Sequence, residues 1–221
     1  MNYAELASAV GPRVGATQEW VFNILREGIV SGKLPGGMQL KQDEISTALN
    51  VSHIPVREAL RQLEAQGLVR IHPNRGASVT KLSRATLEDM MDVRASIASS
   101  VLTSAIPKMT AADFERMREI IELQKHAADL FTSEKLNYEF HDLLLKPAEN
   151  SIATLLMEII HANIDRYLRK SFYGEDSSRS FSIAEHEQIV EACEKGESEL
   201  AAKLLSRHIL GAKARIPAEL A

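Results

Sequence analysis

Three histidines fall on the apolar faces of three separate helical stretches. Asn137, Phe140, His141 and Leu144 share one face. Ile183, His186, Val190 and Cys193 share a second, and Ala201, Leu204, Leu205 and His208 a third. One inward histidine is commonly a hydrogen-bonded core residue. Three of them, with the Asn137 amide one turn before His141, favour a metal or anion site. Neutral imidazoles suit zinc or nickel, and three leave coordination positions open for water or an oxygen-bearing ligand. Arg94 is the other polar residue on an apolar stripe, among Leu87, Met90, Met91, Ile97, Ala98 and Val101. A guanidinium in such a place needs a partner, either an internal carboxylate or a bound anion.

A second group of residues suits DNA. Ser52, His53, Arg57 and Arg61 cluster at the start of one helical stretch, and Arg57 and Arg61, four apart, share a face. Arginine grips guanine bidentately or holds a phosphate. Arg75 sits in a turn signature, Pro73-Asn74-Arg75-Gly76, from which it can reach phosphate or a minor groove. The competing reading pairs Arg57 and Arg61 with Glu58 and Glu64 on a solvated face.

The elements needed to position these groups are legible. A helix is predicted over Thr17 to Val30, and a turn over Leu34-Pro35-Gly36-Gly37. A short helix follows from Gln42 to Leu49. The break Asn50-Val51-Ser52 suits a left-handed residue at Asn50 and a helix cap at Ser52. The next helix runs from Ile54 to about Gln66, with Pro55 in its first turn, and ends at Gly67. Extended segments are expected over Leu68–His72 and Ala77–Lys81. After Ser83 the pattern is helical, over 83–104, 111–130, 133–146, 151–171, 182–195 and 197–214. Thr110 to Asp113 and Ser182 to Glu185 have capping-box spacing. Asn163 and Tyr167 share an inner face with Leu156 and Ile160 and are candidate pocket-lining residues. Residues 1–14 carry no clear pattern and read as a flexible arm.

Two helices across a three-residue break, followed by a hairpin, describe a winged helix-turn-helix, whose second helix enters the major groove. The chain of 221 residues has room for this domain and a second one. Its net charge of −4 is unevenly spread, since between Val51 and Lys81 five basic residues face two acidic ones. A single cysteine, Cys193, rules out an internal disulfide framework and reads as a small core residue. No apolar run is long enough for a membrane span and no signal-peptide pattern opens the chain, so a cytoplasmic protein is expected. No phosphate loop, dinucleotide fingerprint or nucleophile elbow is present.

Gly32-Lys-Leu-Pro-Gly-Gly, the run from Val51-Ser-His-Ile-Pro-Val-Arg to Gly67-Leu-Val, and Arg75-Gly-Ala-Ser-Val closely resemble the GntR family of regulators. The resemblance implies that Ser52, His53, Ile54 and Arg57 lie at the major groove, with Asn74 and Arg75 on the wing. Two residues depart from the family pattern. His53 stands where Arg or Lys is usual, and Ile54 where Thr or Ser is usual. The second half resembles the FCD ligand-sensing domain of the FadR-type branch. The matching pieces are Asn137-Tyr-Glu-Phe-His141, Ala148-Glu-Asn150, Glu185-His186 and Arg207-His208. In metal-binding members a carboxylate and three histidines hold the ion. The resemblance therefore implies His141, His186 and His208 as ligands, with Asn137 where Asp is usual. It also puts Arg94 at a position that holds a ligand's carboxylate, with Ala98 where Glu is common.

The expected fold is mainly α, with a flexible arm at 1–14, a winged helix-turn-helix domain at 15–82 and an all-α, FCD-like bundle at 83–221. The expected function is transcription regulation. A homodimer binds a double-stranded operator as a repressor and senses a small organic acid, with one zinc or nickel ion per chain. The alternatives are a metal-dependent hydrolase using the histidines and a DNA binder that needs no effector.

Overall fold

The computed structural model describes residues 3–73, 76–81, 83–171 and 176–214, without the side chains at 130, 131, 165, 167–171, 176–181 and 214. The chain divides into two compact units. The first comprises Met1–Arg84 with His161–Lys170, and the second Ala85–Ile160 with Ser171–Glu219.

In the first unit, α1 (Tyr3–Val10), α2 (Thr17–Val30), α3 (Gln42–Leu49) and α4 (His53–Ala65) surround one apolar core. Within the arm expected at 1–14, Tyr3–Val10 is thus a helix. Tyr3 and Leu6 lie one turn apart and both enter the core, and this tertiary burial fixes an eight-residue helix too short to persist alone. Between α3 and α4, Asn50 adopts the left-handed conformation at φ 51°. Val56, Ala59, Leu60 and Leu63 form the buried stripe of α4. The opposite face of that helix is therefore left to solvent.

The wing is a three-stranded antiparallel sheet of order β1-β3-β2, with β1 at Gln39–Leu40, β2 at Val69–His72 and β3 at Gly76–Val79. β2 and β3 pair from Val69↔Val79 to His72↔Gly76. Gly76 has φ +78°, and a Cβ there would sit 2.8 Å from the Leu40 carbonyl oxygen, so both conformation and space demand glycine. β1 has no sequence signature because two residues show no alternation. Arg166 is buried in this unit and donates to Thr80, reaching Oγ1 at 2.9 Å and the carbonyl oxygen at 2.8 Å.

The second unit is helical. It comprises most of α5 (Arg84–Ala105), then α6 (Ala111–Lys125), α7 (Leu130–Leu145), the start of α8 (Ser151–Ser171), α9 (Asp176–Glu194) and α10 (Ser198–Ala214). Pro107 and Pro147 end α5 and α7 in 3-10 turns, Ile106–Lys108 and Lys146–Ala148. Thr110 and Asp113 form the expected capping box at the start of α6. Ser182 does not cap α9, because no Gly or Pro interrupts the residues before it and the helix starts six residues earlier. Buried side chains on α5, α6, α7, α9 and α10 include Leu102, Ile120, Phe140, Ile189 and Leu205. Among the described residues no helix is long and apolar enough to cross a membrane.

Candidate functional site

The α4 face turned to solvent carries Ser52, His53, Ile54, Arg57 and Arg61, all exposed. Among the described residues, neither Arg57 nor Arg61 forms an ion pair. The solvated-pair reading is not what the fold builds: Glu64 accepts a hydrogen bond from the Ile71 backbone N–H at 2.6 Å, which ties α4 to β2. His53 Nδ1 lies 3.5 Å from an Asp43 carboxylate oxygen, a link from α3 that periodicity does not reveal. Ile54 is 61% exposed. Asn74 and Arg75, expected on the wing, lie outside the described residues.

The second unit brings His141 of α7, His186 of α9 and His208 of α10 together, each buried, with ligand atoms all within 4.8 Å of one another. His186 Nε2 and His208 Nε2 are 3.2 Å apart, and His208 Nε2 and His141 Nε2 are 3.3 Å apart. Two nitrogens bound to one zinc at about 2.0–2.1 Å are separated by roughly 2.8–3.4 Å for angles from 90° to tetrahedral. The observed spacing fits that range.

The outer faces of the rings reinforce the geometry. His208 Nδ1 lies 2.9 Å from Glu185 Oε2, and His186 Nδ1 lies 3.1 Å from Gln124 Oε1. Both oxygens accept, so both Nδ1 atoms donate. The tautomers so fixed leave lone pairs on the two Nε2 atoms that face each other. A proton on His186 does not relieve this. Burial, then His208, then the nearby Arg94 charge hold its pKa well below the usual histidine value. A divalent cation satisfies the lone pairs without a proton. Phe140 stacks on His186 at 4.0 Å between ring centroids and holds that ring's plane.

Arg94 of α5 is buried, as its stripe position requires. Asn137 lies one turn before His141 on α7 and is half-buried. Asn163 is buried in the first unit, where its Nδ2 donates to the Gln66 carbonyl at 2.8 Å, so the chain itself holds this amide. The Tyr167 side chain lies outside the described residues.

Residues 17–79 match the bacterial regulatory proteins of the gntR family, and residues 89–211, more than half of the chain, match the FCD domain. The chain belongs to the GntR family, in the branch that carries an FCD domain. It is 29% identical over 192 residues to the HTH-type transcriptional repressor RspR of Escherichia coli K12, covering 86% of this chain and 84% of that protein. It is also 29% identical over 187 residues to the probable D-xylose utilization operon transcriptional repressor of Paenarthrobacter nicotinovorans, covering 82% and 80%. A solved GntR-family regulator from Pseudomonas syringae pv. tomato is 30% identical, with a TM-score of 0.54 over 97% of this chain and 92% of that one. E. coli McbR/YncC shares the fold, with a TM-score of 0.73 at 19% identity over 91% and 97%. This GntR chain is a DNA-binding transcription regulator and not an enzyme, which sets the hydrolase alternative aside.

Two residues of the histidine cluster escape sequence reasoning. Glu185 reads as pointing off the inner face of α9, yet its carboxylate reaches His208 on α10. Gln124 was on view: it continues the buried stripe Met117, Ile120 and Ile121 of α6, a polar residue at a core position. Glu139 and Glu187 turn outward instead, where they pair with Arg116 and Lys125.

Proposed function

We propose that this GntR regulator is a metabolite-responsive repressor whose FCD domain holds one divalent ion, zinc or nickel, and senses a small organic acid. The convergence of three Nε2 atoms, two of them on rings held from behind by Glu185 and Gln124, carries the reading. His141, His186 and His208 hold the ion, and Asn137 adds a neutral amide oxygen from the same face as His141. Such an ion supplies open coordination positions to a carboxylate. Arg94 supplies the buried positive charge that a carboxylate effector needs.

At the other end of the function, Ser52, His53, Ile54, Arg57 and Arg61 read the major groove, and Asn74 and Arg75 of the wing flank it. The regulator acts as a homodimer, so that two α4 helices meet two half-sites related by two-fold symmetry. Ile152, Leu155 and Leu156 on α8 give an exposed apolar stripe for that interface. An effector that binds one arrangement of the dimer better than another shifts DNA affinity by the difference.

The test is DNA affinity of the zinc-loaded protein titrated with a panel of small mono- and dicarboxylates, on wild type and Arg94→Ala. At least one acid weakens DNA binding by wild type, and Arg94→Ala loses the response while binding DNA normally. If no acid changes DNA affinity, the second reading stands, a DNA binder that needs no effector.

A further inference from the structure

The segment between α1 and α2 is held at both ends. α1 is anchored through Tyr3 and Leu6 and ends at Gly11, whose φ of +96° lies where side-chain-bearing residues are rare. The Trp20 indole Nε1 donates to the Gly11 carbonyl at 3.1 Å, and Trp20 itself packs against the core of the first unit. α2 starts at Thr17. The strap from 12 to 16 is thus pinned by a helix anchored at Tyr3 and Leu6 behind it, an indole bond and the next helix ahead.

This strap lines an open groove of ≈480 Å³ together with the first turn of α4. Arg13 and Thr17 line one part, and Ser52, Ile54 and Pro55 another. Glu58 also lines it, and Arg13 is the one cation there among the described residues. Arg13 is exposed and, among the described residues, forms no ion pair. A helix that enters the major groove has the sugar-phosphate backbone along its flank, and contacts to that backbone fix its register. An open groove beside such a helix, with one guanidinium on it, fits a phosphodiester passing by.

We propose that Arg13 is a DNA-backbone contact, and that α1 and the Trp20–Gly11 bond are the device that holds it there. The inference rests on the reading of α4 as the recognition helix. Arg13 adds affinity and orientation and carries no sequence information. Trp20 is a positioning residue.

The probes are a duplex enriched from a random library by the wild-type chain and a duplex of unrelated sequence. Binding of the 221-residue chain is measured between about 50 and 200 mM salt. Arg13→Ala weakens both duplexes alike, by roughly tenfold at the higher salt, and lowers the slope of log K against log salt by about two for a dimer. Arg13→Lys keeps most of the slope. Trp20→Phe, which keeps an aromatic ring and removes the Nε1 donor, shifts both quantities in the same direction as Arg13→Ala, and adds nothing in the Arg13→Ala background. Arg57→Ala is the control for the underlying reading, since it loses the enriched duplex selectively. If Arg57→Ala shows that loss and Arg13→Ala changes neither affinity nor slope, the Arg13 assignment falls alone. If Arg13→Ala loses only the enriched duplex at unchanged slope, it reads bases and the backbone assignment is overturned. If Arg57→Ala changes nothing, the recognition-helix reading itself fails.

Discussion

Glu185 Oε2 lies 2.9 Å from His208 Nδ1, so a carboxylate on α9 orients an imidazole on α10. The carboxylate fixes the proton on Nδ1 and turns the Nε2 lone pair to the histidine cluster. Outer contacts of this kind tune metal affinity by about 10–100-fold. Glu185→Gln, which keeps shape and removes charge, therefore lowers zinc affinity by about that factor while the helical circular dichroism is unchanged. Competition against a chromophoric chelator measures it, and equal affinities would remove Glu185 from the site.

In the proposed site Asn137 would offer a neutral amide where a carboxylate would bring charge to the ion. Asn137→Asp tightens zinc binding, and the gain is larger at low ionic strength because it is electrostatic. An unchanged dissociation constant in the same chelator competition means that position 137 contributes no ligand.

Arg57 stands on the exposed face of α4 with no ion pair among the described residues. Arg57→Ala loses about 1–3 kcal/mol of discrimination per half-site and with it the footprint on an enriched operator. The fold is untouched, since the buried stripe of α4 is on the other side. A retained footprint would contradict the assignment.

Cys193 is buried on α9, and burial pushes its thiol up to about 12, with Glu194 adding to the shift. The thiolate is the reactive form, so at pH 8 the folded protein resists iodoacetamide while the chain in denaturant is alkylated completely. Rapid labelling of the native protein would show that the α9 core opens.

How far the sequence reached depends on whether a feature is local. The helices at 17–30 and 42–49 match the structure at both ends, and Asn50 takes the left-handed turn that its place between two helices demands. The three histidines could be placed inward because each sits on an apolar stripe that only burial explains. Glu185 could not, since periodicity reports where a Cα points and not where a flexible side chain, here 23% exposed, ends. α1 was hidden for a related reason. Eight residues with two apolar anchors become a helix only when a tertiary core receives Tyr3 and Leu6. The two-residue β1 exists because β3 offers it an edge, which no local pattern encodes.

In the proposed function the three converging imidazoles hold a metal ion in the working protein. Elemental analysis of untagged chain, purified without chelators beside His141→Ala, tests it most directly. Near-stoichiometric zinc or nickel is expected in the wild type and is lost in the variant, with DNA binding in the absence of effector retained by both. A wild-type protein that carries no metal and takes up none from added zinc or nickel would contradict it, and would leave the histidines as a hydrogen-bonded core beside Arg94.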